Sequence, residues 1–195
     1  MTIASQHMTL EGYLNVTNDA DTRYELEDGE LLVMPPESEI NRRIAIFLLV
    51  YFAQLGLSPT QLTMKTEIVV SGTRETVRVP DLMVLSEELV QTLEGASRST
   101  VMLDMLPPEL VVEVVSPGKA NEDRDYRYKR SQYQARGIQE YWIIDPMQQQ
   151  VMVLSLLEGL YVETVFEGET EIVSNMLKAW GQKSSITAAQ VLKPK

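Results

Sequence analysis

Residues 107–146 read PPELVVEVVSPGKANEDRDYRYKRSQYQARGIQEYWIIDP, and the order of elements in this stretch decides the fold. The double proline introduces ELVVEVVSP (109–117), which is apolar on both faces apart from Glu113, as a strand in the middle of a sheet would be. Asn121 to Arg136 predicts a helix ended by Gly137, and IQEYWIIDP (138–146) predicts a short buried strand stopped by proline.

Two further strand-like segments lie upstream, LTMKTEIVV (62–70) and TVRVPDLMVL (76–85), joined by the turn SGTRE. Between them and residue 107 the chain is looser, with helical character around Glu87–Leu93. Before them, Ser38 is placed to cap a helix from about Glu39 to Leu55, which Gly56 and then Pro59 terminate. Its residues 40, 44, 47, 48, 51 and 55 keep helical spacing, and Ile46, Leu49, Val50 and Phe52 make its other faces apolar too. This predicts a core helix covered on most sides.

At the N-terminal end, Met8 to Val16 predicts a short amphipathic helix, and RYELEDGELLVMPP predicts a hairpin turning at Asp28-Gly29. At the C-terminal end, a second hairpin is expected around Glu158-Gly159, then a short helix Ala188–Leu192 after Ser185-Ile186-Thr187. The order is helix, three strands, helix, strand, framed by extra hairpins. That indicates one α+β or mixed-sheet α/β domain, divisible into 1–37, a core of 38–146, and 147–195.

Composition narrows the chemistry. The 195 residues contain no cysteine and a single histidine, His7, so disulfides, thiolate zinc sites, cysteine nucleophiles and histidine relays all lack their central residue. Without a glycine-rich nucleotide loop, an enzyme restricted to Asp, Glu, Lys, Tyr and Ser points to a hard divalent cation held by carboxylates. The net charge, 17 − 28 = −11, opposes long-range attraction of nucleic acid or an anionic membrane. The opening MTIASQHMTLEGYL shows no signal peptide, and the longest apolar run, Ile44 to Ala53, is far too short to span a bilayer; a cytoplasmic protein without membrane contact is expected.

Three features stand out as candidates for chemistry. Pro80-Asp81 puts a carboxylate where a proline distorts a strand, although a strand-end Asp capping a turn has the same appearance. Glu113 must meet a cation, a metal or a donor if it is buried, which a core salt bridge would also satisfy. Asp125, Lys129 and Tyr133 share one helix face at i, i+4 and i+8, where a plain solvated ion pair is the simpler alternative. Yet Lys119 to Arg136 carries six basic against three acidic residues in an acidic protein. Arg124, Arg127 and Arg130 are therefore its candidate contacts for a polyanion.

Taken together, RYELEDGEL, VRVPDLMVL, PPELVVEVVSPGK and DYRYKRSQYQARGIQEYWIIDP resemble the Uma2 family, a bacterial group with a restriction-endonuclease-like fold of the PD-(D/E)XK nuclease superfamily. The resemblance spans about Tyr24 to Pro146. It implies a core of helix, three-strand meander, helix and strand, and a metal-dependent endonuclease acting on DNA. Asp81 and Glu113 match the acids that hold Mg2+ or Mn2+, with the Val114 carbonyl as a further ligand. Where the superfamily has a lysine two residues after the second acid this chain has Val115. The Uma2-like pattern places the lysine on the next helix, at Lys129. Asp125, Tyr133 and Glu140 match other recurrent positions, as do Glu25 and Glu67, all in supporting roles. A histidine common near the start of the core helix is replaced by Asn41-Arg42.

The expected chemistry is phosphodiester hydrolysis, with two carboxylates holding the ion and Lys129 assisting. The apolar C-terminal hairpin suggests a homodimer. The alternatives are a catalytically inactive nuclease fold serving as a binding or assembly module, for which the missing strand lysine and the charge of −11 speak, and a hydrolase of smaller phosphate esters.

Overall fold

The computed structural model describes residues 7–16, 23–181 and 185–194. Helix α1 (Leu10–Leu14) is capped by the Thr9 side chain and is shorter than the expected 8–16. Strands β1 (Tyr24–Glu27) and β2 (Glu30–Val33) form the first hairpin. Its two turn residues, Asp28 and Gly29, have φ of 48° and 82°, the positive pair that a tight twisted hairpin needs. Helix α2 (Glu39–Gln54) starts where Ser38 Oγ accepts a hydrogen bond from the Asn41 amide. It ends before Gly56 at φ 101°, matching the capping signals.

The strands that follow depart from a simple meander. Each long strand segment splits in two: 62–70 into β3 (Leu62–Thr63) and β4 (Glu67–Val70), 76–85 into β5 (Thr76–Arg78) and β6 (Leu82–Val84). The two stay paired antiparallel throughout, β4 with β5 and β3 with β6, yet each half belongs to a different sheet. The crossing lies between Met64 and Thr66 on one strand, where Lys65 has φ 70°, and at Val79-Pro80-Asp81 on the other. Proline has no amide to give a ladder, so the break falls where continuity would cost a hydrogen bond anyway.

After α3 (Glu87–Leu93) and β7 (Thr100–Val101), strand β8 (Leu110–Val114) enters the centre of the second sheet. Helix α4 (Lys119–Asp123) runs into a π-helical stretch (Arg124–Lys129) and then α5 (Arg130–Arg136), so the helix expected from Asn121 begins two residues earlier and widens in its middle. Strands β9 (Glu140–Asp145), β10 (Gln150–Leu157) and β11 (Leu160–Glu167) follow; the last two form the predicted hairpin, with Glu158 and Gly159 at φ 50° and 82°. Short helices α6 (Asn175–Ala179) and α7 (Ala188–Leu192) complete the described chain, the latter with a capping box between Thr187 and Gln190.

One sheet has the order β2-β1-β5-β4-β7 and the other β11-β10-β9-β8-β6-β3. Among the described residues only β4–β7 and β8–β9 are parallel pairs. The larger sheet is covered on both faces. On one, Leu82, Val112 and Trp142 pack against Ile44, Leu48 and Phe52 of α2 together with α6 and α7. On the other, Met83, Val111 and Tyr141 pack against Tyr133 of α5 and Leu89 of α3. This double burial explains why β8 and β9 read as continuous apolar runs.

Helix α2 is less enclosed than its composition suggests. Ile46 and Val50 are 40% and 47% exposed, because α6 and α7 cover the helix only along one flank of its sheet-facing side. Among the described residues no helix is long and apolar enough to cross a membrane.

Phe52 is the hub of the α2 face. It is fully buried, with ring centroids 5.9 Å from Trp142 and 5.5 Å from Trp180 in edge-to-face arrangements. Phe52→Ala is expected to cost about 3–5 kcal/mol by denaturant unfolding, the usual loss for a truncated core aromatic.

Candidate active site

The antiparallel register of β6 and β8 pairs Leu82 with Val112, so Asp81, one residue before, and Glu113, one residue after, stand opposite each other at the sheet crossing. Asp81 Oδ2 accepts a hydrogen bond of 2.6 Å from the Val114 amide, which ties the irregular segment to β8. Glu113 shares the parity of Val111 and therefore projects toward α5. Two residues of the helical segment, one turn apart, meet it there. Lys129 Nζ is 2.8 Å from Oε2, and the Tyr133 hydroxyl donates to Oε1 at 2.7 Å. Val115, two residues after Glu113, is buried in the core, and the ammonium that reaches the Glu113 carboxylate comes from the helix.

Lys129 is only 2% exposed and is surrounded by acids, with Asp125 Oδ1 at 3.2 Å and Glu25 Oε1 at 3.9 Å. Glu25 is also fully buried. It accepts from the Val79 amide at 3.0 Å and pairs with Arg78 at 3.1 Å, and Arg78 continues to Glu27 at 2.9 Å and to the Gln132 side chain at 3.0 Å. The Tyr141 hydroxyl donates to the Asp125 carbonyl at 3.0 Å, joining β9 to the π-helical stretch. Acids from β1, β8 and the helix thus converge on Lys129, and two acids of β1 on Arg78.

The electrostatics follow from burial set against these pairs. Burial works against the charge on Lys129, but Glu113, Asp125 and Glu25 outweigh it and hold the ammonium above its ordinary range. Burial likewise pushes Glu113 up while Lys129 pulls it down, and Asp81 and Asp125 add to the upward push. Burial would raise Glu25 as well, yet Lys129 and Arg78 hold it below the usual carboxylate value. Asp81 is pushed up to about 6, mainly by burial and against the Val114 hydrogen bond.

Asp81 opens into a cleft of about 380 Å3 whose walls include Arg23, Pro36, Asn41, Ser116 and Arg124. Glu113 and Lys129 lie behind it, both buried. Asn41, 3% exposed, donates through Nδ2 to the Val114 carbonyl at 3.0 Å and to Ser116 Oγ at 3.2 Å, so that carbonyl already accepts one hydrogen bond. The available donor set is two carboxylates and one carbonyl, all hard oxygens. Among the described residues no three Asp, Glu or His side chains gather at metal-ligating spacing. Among the same residues no donor reaches Asp81 Oδ1.

Other predicted positions lie elsewhere. Glu140 sits at the opposite end of the β8–β9 pair, beside Leu110, on the α2 face of the sheet. It accepts from the amides of Asn175 and Met176, from Ser174 Oγ and from Trp142 Nε1, so it holds the start of α6 in place. Glu67 belongs to the smaller sheet, where Arg98, Thr100 and Tyr13 bind it. Of the three arginines, only Arg124 lines the cleft. Arg127 pairs with Asp123 at 3.7 Å and Arg130 with Glu163 of β11, which neutralises part of the basic face. Sequence reasoning missed Arg78, Arg23 and the clamp made by Asn41. A buried arginine three residues before Asp81 in an apolar strand was the available signal for the first.

Two comparisons with known proteins bear on this arrangement. The model of the Uma2 family, described as "Putative restriction endonuclease", matches residues 10–188. Among solved structures the fold is similar to that of a "putative nuclease belonging to DUF820" from Anabaena variabilis. The TM-score is 0.70 at 14% identity, over 95% of this chain and 97% of that one. No curated protein matches.

The Glu67 cluster provides a test of pH-dependent stability. Burial would raise this carboxyl, but hydrogen bonds from Arg98, Thr100 and Tyr13 hold it below its ordinary value of 4.5. A lowered carboxylate contributes stability that is complete above the unfolded value and is lost as pH falls through the folded one. Glu67→Gln is expected to cost about 1–3 kcal/mol at pH 7 and to flatten the loss of stability below pH ~4.5, as measured by denaturant unfolding across pH.

Proposed function

The chain belongs to the Uma2 family, and from that premise we propose that it is a metal-dependent nuclease hydrolysing phosphodiester bonds of DNA, with Asp81 and Glu113 as the cation ligands. The observation that carries this reading is the meeting of two carboxylates from adjacent strands with a lysine from a separate helix: Lys129 Nζ is 2.8 Å from Glu113, and Asp81 stands opposite across the β6–β8 pair. Magnesium binds through one or two carboxylates and keeps several waters, so this oxygen donor set suits it or manganese, with the Val114 carbonyl as a further candidate. When bound, such an ion lowers the pKa of a coordinated water and offsets charge growing on the phosphoryl group.

The protein's own groups have distinct parts. Lys129 supplies a buried positive charge behind Asp81, to orient the nucleophile or offset charge at the phosphate. Asp125 and Tyr133 position it, Asp125 by direct pairing and Tyr133 by holding the other Glu113 oxygen. Glu25 restrains the ammonium from the third side. Arg124 and Arg23, on the cleft wall, are the groups placed to receive the DNA backbone. Leu157, Leu160 and Val162, exposed by 53% or more at the C-terminal hairpin, support a homodimer as part of the same proposal.

One observation favours a non-cleaving module instead: Arg127 and Arg130 are already paired with acids, so much of the basic helix face is neutralised. Cleavage of plasmid DNA in the presence of Mg2+ separates the two. Lys129→Met and Asp81→Ala are each expected to lower the rate by about 10²–10³-fold or more. Thermal unfolding serves as the control for folding. An Asp81→Ala protein cutting at the parental rate would overturn the assignment, and absence of cleavage by the parental protein would favour the module.

A further inference from the structure

Each carboxylate oxygen of Glu113 has a partner within the chain. Tyr133 donates to Oε1 and Lys129 stands on Oε2 at 2.8 Å. Asp125 is less fully bonded: its Oδ1 is buried without a formed hydrogen bond among the described residues, although it pairs with the same ammonium at 3.2 Å. A buried carboxylate oxygen left without a hydrogen bond is costly, and Arg124 Nε beside it at 3.8 Å is likewise buried and unbonded. The ammonium therefore stands between two carboxylates, ion-paired with Glu113 at 2.8 Å and with Asp125 at 3.2 Å.

From this geometry we propose that Lys129 is the resident counter-ion of Glu113 and that a divalent cation binds by displacing it toward Asp125, so the lysine sets the metal affinity of the site. The proposal rests on the reading of Asp81 and Glu113 as cation ligands and adds to it the assignment of Asp125 as the receiving carboxylate. Two cations on one carboxylate repel each other, so the ammonium and the metal compete for Glu113. Asp125 lowers the cost of that exchange because the displaced ammonium keeps a carboxylate with which it is already paired instead of standing alone in the interior. Glu25, at 3.9 Å and already bound to Arg78 and the Val79 amide, is the weaker acceptor.

Titration with Mn2+ alone, without nucleic acid and followed by calorimetry, tests this directly. Lys129→Met is expected to bind Mn2+ more tightly than the parental protein by about 5- to 150-fold, the range of ordinary coupling between sites. Asp125→Asn is expected to bind it more weakly, and the double variant is expected to behave as Lys129→Met does, because Asp125 acts only by receiving the lysine. That non-additivity distinguishes a receiver from a ligand. If the loss caused by Asp125→Asn persists when Lys129 is absent, Asp125 is itself a ligand and the proposal fails.

Equal or weaker binding by Lys129→Met, with the parental protein binding Mn2+, overturns this inference and leaves the nuclease reading intact. If none of the four proteins binds Mn2+, both fall together. Should Lys129→Met not fold, Lys129→Arg asks the same question with the opposite sign. A guanidinium that grips both oxygens of a carboxylate should weaken Mn2+ binding, and unchanged or tighter binding would sink the idea.

Discussion

An ammonium taken out of water must be matched by carboxylates, and the architecture around β8 is organised by that requirement. Lys129 is almost inaccessible, and the acids that answer it come from β1, β8 and its own helix. Two of those acids are fixed by something else: Glu25 by Arg78 and the Val79 amide, Glu113 by Tyr133. The ionic cluster therefore joins the smaller sheet to the larger one. Neither sheet alone could bury these groups, since any one of them without its partners would be a stranded charge.

The break between β5 and β6 has the complementary role. A continuous strand through 76–85 would alternate its side chains along one sheet. Splitting at Val79-Pro80-Asp81 instead lets Arg78 turn toward Glu25 in one layer while Asp81 engages the Val114 amide at the end of a central strand of the other. The same distortion opens Asp81 to the cleft while Glu113, only a strand away, remains enclosed. A proline at an irregular strand position is thus the local cause of a difference in solvent access between two neighbouring acids.

Much of this was legible in the sequence where the determinants are local. The boundaries of α2 follow from Ser38 and Gly56, the two tight hairpins from Asp28-Gly29 and Glu158-Gly159, and α7 from Thr187 and Gln190, because caps and turns act over three or four residues. The convergence of Asp81, Glu113 and Lys129 depends on sheet order, to which spacing along the chain is blind; it was legible through the family resemblance instead. Glu140 shows where that route stops. It occupies a recurrent position, yet its oxygens serve the amides that begin α6, a partnership set by a segment some thirty residues further on. The partition of 62–85 between two sheets was equally invisible, because both halves keep the same alternation and the same partners.

The π-helical stretch between Arg124 and Lys129 has a geometric corollary. A wide turn of this kind is a helix holding one residue more than an unbroken α-helix of the same length requires. Everything on the N-terminal side of the extra residue is rotated by about 100° relative to an unbroken α-helix, while everything on the C-terminal side keeps its facing. Arg124 and the Pro117-Gly118 entry are thereby turned independently of Tyr133 and the rest of α5. Removing one residue here would re-aim the cleft wall while leaving the core packing of the same helix undisturbed.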